Sequence, residues 1–287
     1  MNNIKFLLDS FYTEFSQPKY WEIDPIKIPA IFSDPLDIEI AGFFSAIIAW
    51  GKRENIVKAA KNLIQLMNYQ PYKFVTGPKN KWKSCESFVY RTFQPMDLFY
   101  FLDSLRLIYF KYDSLNNFVK NHYDKTNDLL DSIRAIRDLF LSVPHESRSE
   151  KHIPNPDKNS ACKRINLYFR WMVRNNKEGL DFGIWQNIPS SSLYIPLDLH
   201  VGKAARELGL LSRKQNDLKA VIELTNKLKL LDPVDPIKYD LALFGYNYYK
   251  QSSHVCWDNP YIKDNNHSDK KTFIFNERRT EWGIQES

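Results

Sequence analysis

The stretch YIPLDLHVGKAARELGLLSRK, Tyr194 to Lys214, decides how the rest of the chain reads. An apolar-Pro-apolar-Asp-apolar-His-apolar run passes directly into an amphipathic helix that ends on Gly209. Asp198 therefore stands where the helix begins, between apolar neighbours. One reading makes it a helix cap, a carboxylate that accepts backbone N–H bonds and is thereby held in its ionised form. The other makes it an active-site acid, an anion in a dry pocket that stabilises a developing cation or directs a nucleophile. His200, two residues on, points to a different helix face, where it reads as a packing histidine or as a site residue.

Outward from this segment, apolar residues recur at i, i+3, i+4 and i+7 rather than in strict alternation, and glycine is scarce, with nine in 287 residues. The expectation is an all-α fold with helices over 3–15, 36–49, 53–67, 96–109, 114–122, 127–141, 161–174, 198–208, 214–229 and 236–249. Start signals support several of them. In SDPLDIEIAGFF and DPVDPIKYDLALF an Asp at a cap position precedes Pro in the first turn. SVPHESRSEKHIPNPDKNS, 142–160, is charged and Pro-containing and reads as an exposed connection. Residues 1–255 read as one helical domain and residues 256–287 as a C-terminal extension with little helical periodicity.

Charge and cysteine usage narrow the setting. A formal charge of +6 and a pI near 9.0 suit a nucleic-acid partner without requiring one, and 15% aromatic residues could supply stacking surfaces. Cys85, Cys162 and Cys256 show no C-x-x-C spacing, so neither a disulfide framework nor a metal site is expected and a reducing, cytoplasmic setting follows. MNNIKFLLDSFYTEF lacks the pattern of a secretion signal, and no apolar run approaches membrane-spanning length.

Two further segments carry candidate chemistry. In SACKRINLYFRWMVRNN, Ile165, Tyr168, Phe169 and Met172 form an apolar stripe, while Lys163, Arg170 and Arg174 share another side. That cationic side reads as a phosphate-binding stripe or as a solvated polar face. A lysine in a helix's first turn also sits at the positive end of the dipole, where the field favours a neutral, nucleophilic amine able to form a Schiff base. In FFSAIIAWGKRENIVKAAKNLIQLM the corner Trp50-Gly51-Lys52-Arg53 sets an aromatic and two cations between helices. It suits a wedge into a base step, or a Trp that closes the core beside a capping Gly51.

Taken together, these segments resemble the helix-hairpin-helix DNA glycosylase superfamily, which includes endonuclease III. IPLDLHVGKAARELGL is similar to its Val-Asp-Thr-His-Val-x-Arg-x-x-x-Arg-x-Gly-Leu signature, with Asp198 on the catalytic aspartate, His200 on the following histidine, and Arg206 and Gly209-Leu210 on the closing residues. NSACKRINLYFRWMVR resembles the hairpin and the helix before it, Lys163 taking the place of the helix-starting lysine. DPLDIEIAGFFSAIIAWGKREN looks like the segment that ends in the wedge loop, and DPIKYDLALFGYNYY like the last helix of the six-helix part. From about Phe6 to Tyr249 the chain is similar to an uncharacterised bacterial branch of that superfamily.

The resemblance implies two helical subdomains with a cleft between them, a hairpin near 153–175, and a monomer acting on double-stranded DNA that carries a damaged base or an abasic site. It implies a base-excision glycosylase, with a lyase step if Lys163 forms a Schiff base and Asp198 stabilises the sugar cation. DNA contacts would come from Trp50, Gly51, Lys52, Arg53, Arg164, Arg170, Arg174 and His200, and stacking on an extruded base from Trp171, Phe182 and Trp185, each of which reads more readily as core. Three departures stand out. The hairpin stretch from Ile153 to Ala161 has no Gly, and Cys256 stands alone where the family carries four cysteines, so no iron–sulfur cluster and no other cofactor is expected. Lys163 and Asp198 are roughly 35 residues apart, farther than in endonuclease III, although the archaeal 8-oxoguanine glycosylase branch also has longer spacing. The alternatives are a non-catalytic DNA-binding protein on the glycosylase scaffold and an RNA- or protein-interaction module.

Overall fold

Helix α2 (Pro35–Ile47) is buried without a break from Ile38 to Ile47, the signature of a helix surrounded on all sides. A computed structural model describes residues 2–175 and 179–252, so the expected extension over 256–287, Cys256 included, lies outside the described residues. Among the described residues the elements are helical and no strand forms; Tyr90 with Phe93 and Asn175 with Phe182 make isolated bridges only. Around α2 lie α1 (Asn2–Phe15), α3 (Arg53–Leu66), α4 (Pro71–Thr76), α5 (Pro95–Tyr112), α6 (Leu115–Thr126), α7 (Leu129–Ser142), α8 (Lys163–Val173), α9 (Leu199–Glu207), α10 (Leu218–Leu231) and α11 (Tyr239–Ser252). No helix among the described residues is long and apolar enough to cross a membrane.

Carboxylate caps start several helices, at Asp34 where the sequence suggests one, whereas Asp235 makes no side-chain cap. Asp34 Oδ1 accepts from Leu36 N, Asp128 Oδ1 from Leu130 N, and Asp217 Oδ1 from Ala220 N. Each such cap contributes about 1 kcal/mol. Two crossings then position the rest. α2 crosses α8 at Gly42, where a Cβ would meet Met172 Cε at 2.9 Å, and α11 lies between α1 and α9. The packing of α9 on α11 sets the start of α11 beside the start of α9.

Several sequence expectations are corrected. The segment 142–160 is not an exposed connection: it forms two short 3-10 turns with Ser149, His152, Ile153 and Pro156 buried. Asp97, at the start of α5, draws it inward by accepting from Ser149 Oγ and from Arg148 Nη1 at 3.0 Å. The short helix α4 has no counterpart among the expected helices. α10 starts at Leu218 rather than near 214, because Arg213 grips the capping Asp217 from the turn before it. α8 begins at Lys163 rather than Ala161, because Cys162 adopts a left-handed backbone.

Candidate functional site

The starts of α8 and α9 meet. Lys163 is the first residue of α8 and Asp198 the N-cap of α9, and Lys163 Nζ lies 3.9 Å from Asp198 Oδ2. Asp198 holds an extended backbone (φ −116°), and its Oδ1 accepts from His200 N and Val201 N, each at 2.9 Å. One oxygen thus caps the helix while the other faces the amine. Their side chains keep 30% and 37% of their exposure, so the pair is open to a ligand. A separation of 3.9 Å is too long for a hydrogen bond. Among the described residues no hydrogen bond ties up Lys163 Nζ.

Further bonds fix the backbone at Asp198. Asn216 Nδ2 donates to Asp198 O at 2.9 Å, and Arg206 holds Asn216 by donating to its Oδ1 at 2.6 Å. Gly202 makes room for this clamp: a Cβ there would sit 2.6 Å from Asn216 Oδ1. Arg206 is therefore a brace for the loop before α10, a role its place in the signature did not specify. His200 is exposed, with Nδ1 3.1 Å from Asn247 Nδ2 on α11.

Below the pair lies a third carboxylate. Asp240, in the first turn of α11, is buried and accepts from Arg170 Nη1 at 2.5 Å. Burial pushes its carboxyl up to about 6; the Arg170 charge opposes this, the Asp198 charge adds to it, and Lys163 opposes it. Arg170 also donates to Asp181 at 3.2 Å, and Arg174 joins Asp181 at 2.7 Å, Asp235 at 2.9 Å and Tyr12 Oη at 2.8 Å. The expected phosphate-binding stripe is thereby corrected. Arg170 and Arg174 are 3% and 0% exposed and fully engaged by carboxylates, so they face the interior; only Lys163 of that side reaches the surface.

Of the three aromatics read as core or as base-stacking residues, two lie in the core. Trp171 and Trp185 are 0% and 1% exposed and belong to the core, with Phe182 half-buried against them. Trp185 Nε1 donates to Glu39 Oε1 at 2.8 Å. Glu39, on α2, also accepts from Tyr109 Oη and from the backbone N–H of Leu115 and Asn116, so a buried carboxylate caps α6 from another helix. Burial pushes the Glu39 carboxyl up. Two concavities, of about 590 and 440 Å³, are lined by other residues and include neither Lys163 nor Asp198.

At the corner, Trp50 is half-buried in a box. Tyr90 meets its ring edge-on at 5.4 Å, His152 stacks at 5.9 Å, and the Arg164 guanidinium lies 4.9 Å over it. Arg164 donates to Ile47 O at 2.6 Å and His152 O at 3.2 Å, and burial lowers its pKa to about 10. It clamps α2 to α8 through these two carbonyl groups and stays partly exposed. Arg53 lies over Phe244 at 4.5 Å and 3.9 Å from Asp24. Gly51 and Lys52 are the exposed part of the corner.

The turn before α8 takes left-handed backbone without glycine. Asn159 (φ +61°) and Cys162 (φ +52°) supply it. Asn159 Nδ2 donates to Asp217 at 2.8 Å, and its carbonyl accepts from Leu218 N at 3.1 Å, which staples the turn to α10. Asn tolerates that region at low cost. Burial pushes the Cys162 thiol up to about 11, which disfavours the reactive thiolate.

The residues that sequence reading missed are Asp240, Asp181, Asn216 and Glu39. Asp240 and Glu39 carried a signal, a carboxylate inside an otherwise apolar run. Comparison with curated proteins and with solved structures gives no match. Residues 24–248 match the family described as a protein of unknown function (DUF2400), which spans most of the 287 residues, and the chain belongs to that family.

Proposed function

We propose that the chain excises a damaged or mispaired base from duplex DNA, with Lys163 as the amine nucleophile and Asp198 as the carboxylate that stabilises positive charge on the sugar. The single observation that carries this reading is the 3.9 Å approach of Lys163 Nζ to the uncapped oxygen of Asp198. A gap of that size between a nucleophile and an anion suits a reacting carbon close to both.

As the glycosidic C1′–N bond breaks, the electron pair leaves with the base, which takes a proton from solvent. C1′ gains cationic character, which Asp198 stabilises. The Lys163 amine gives its lone pair to the N–C1′ bond and releases a proton to solvent. The C1′–O4′ bond then breaks, its pair and a proton going to O4′, which leaves a Schiff base between Lys163 and C1′; a proton next leaves C2′ and the C3′–O bond breaks, the pair departing with the 3′ phosphate. The base must be turned out of the stack for C1′ to be reached.

A panel of duplexes, each with one damaged or mispaired base, together with an abasic duplex, tests the reading through strand scission. Cleavage at one of these sites by the wild type, lost in Lys163→Ala, is the expected result. An intact panel and an intact abasic duplex would overturn it. Duplex binding without any cleavage would favour the alternative, a non-catalytic DNA-binding protein on this scaffold.

A further inference from the structure

The turn from Tyr90 to Phe93 closes on itself, with Tyr90 N donating to Phe93 O and Phe93 N to Tyr90 O, each at 2.9 Å. Arg91 at its tip has a left-handed backbone (φ +55°), uncommon for a residue with a long side chain. Tyr90 Oη donates to Trp50 O at 2.7 Å, which locks the turn to the exposed corner. The Arg91 guanidinium lies against Gly51, where a Cβ would collide with its Nη1; Gly51 itself has φ +112°. Glycine is thus favoured at 51 by the backbone, and its bare Cα gives Arg91 its seat.

From Arg91 a concavity of about 590 Å³ runs along Thr92, Gln94, Pro95 and Met96 to Arg148 and Lys151. Arg148 is spoken for: it donates to both oxygens of Asp97 at 3.0 Å and to Thr92 O at 3.0 Å. Arg91 and Lys151 are exposed, and among the described residues neither forms an ion pair with a carboxylate. His152, next to Lys151, adds no charge at neutral pH, because burial lowers its pKa to about 4. The wall therefore carries two unbalanced positive charges above a strip, Pro95 and the 46% exposed Met96, that suits a deoxyribose ring.

We infer that this concavity is a phosphate track for one strand of duplex DNA, with Arg91 and Lys151 on successive backbone phosphates and the Gly51-Lys52 corner at its end. The inference rests on the base-excision reading and names where the strand beside the site runs. Continuity with the corner through the Arg91–Gly51 contact, and a space far larger than one phosphate, favour a polymer over a free anion.

Binding of a labelled duplex with an uncleavable abasic analogue, measured by fluorescence anisotropy across a salt series, tests it. Removing one phosphate-binding cation should lower the slope of log affinity against log salt by about 1. Arg91→Ala and Lys151→Ala should each weaken low-salt binding roughly tenfold, and their combination should lower the slope by about 2. Arg91→Lys should keep the slope, and Lys227→Ala, on the exposed side of α10, should match wild type. Wild-type affinity and slope in the double variant would overturn the track, as would a weakening confined to single-stranded RNA of the same length. Failure of the base-excision reading is separately visible, as a wild type that binds the analogue yet never cleaves a natural abasic duplex.

Discussion

Asp198 divides its carboxylate between two partners: Oδ1 accepts the first N–H groups of α9 at 2.9 Å, while Oδ2 stands 3.9 Å from Lys163 Nζ at the start of α8. Cap and candidate acid are therefore the same group, oriented by the same bonds. The cap fixes the rotamer that aims Oδ2 at the amine.

Asp198→Asn separates the two roles. Asn is as good an N-cap as Asp, so unfolding free energy should stay within about 1 kcal/mol of wild type. Strand scission should fall by about 10²-fold or more, since the charge facing the sugar is gone. Urea titration beside the cleavage assay checks both; reduced stability with full cleavage would return Asp198 to a purely structural role.

Asp240→Asn addresses the buried acid below the pair. The carboxylate, ionised above about pH 6, faces the electrostatic field of Arg170, Lys163 and Asp198. Its negative charge favours the protonated amine at Lys163, and removing it also frees the charge of Arg170 to repel that ammonium. The midpoint of the rising limb of adduct formation against pH should move to lower pH. A rise in the midpoint, or no movement, would remove Asp240 from the site's electrostatics.

Arg174→Ala should cost about 3–5 kcal/mol, because buried Asp181 loses one of the two guanidinium groups that balance it, Arg170 remaining, and Asp235 loses its bidentate partner. The salt slope of duplex binding by the folded variant should be unchanged. A normal stability with a reduced slope would restore the phosphate-contact role that burial argues against.

His152 makes the fold acid-sensitive. Burial lowers its pKa from 6.5 to about 4, so between those values the unfolded chain takes up a proton that the folded chain does not. Its contribution is complete above pH 6.5 and vanishes as pH falls to 4, of order 3 kcal/mol in all. Asp240, raised from 3.8 to about 6 by burial, acts in the opposite direction across much of that window. Unfolding titrations from pH 7 to 4 should show a flatter decline in His152→Phe, which keeps a ring against Trp50; an equal decline would discharge His152 from this role.

Much of the architecture was readable because its signals are local. Asp-Pro starts, helical periodicity and the Asp198 cap each act within a few residues, and α2 and α9 obey them closely. What was not readable depends on partners distant in sequence. Arg170 and Arg174 have helical spacing that suits a surface stripe, yet Asp181 from one later segment and Asp235 and Asp240 from another arrive to bury them. The 142–160 segment is polar by composition, but Asp97 of α5 and Arg164 of α8 draw it inward. Trp50 was legible as an aromatic at a corner; its enclosure by Tyr90, His152 and Arg164 was not. The meeting of Lys163 with Asp198 came from resemblance, and spacing alone did not imply it.

Whether Lys163 is a nucleophile toward the sugar is decided by borohydride reduction of the full chain with an abasic duplex. A covalent protein–DNA adduct is expected in the wild type, located at Lys163 by peptide mapping and absent in Lys163→Ala. No adduct in the wild type, or an undiminished adduct in Lys163→Ala, would contradict the nucleophilic role.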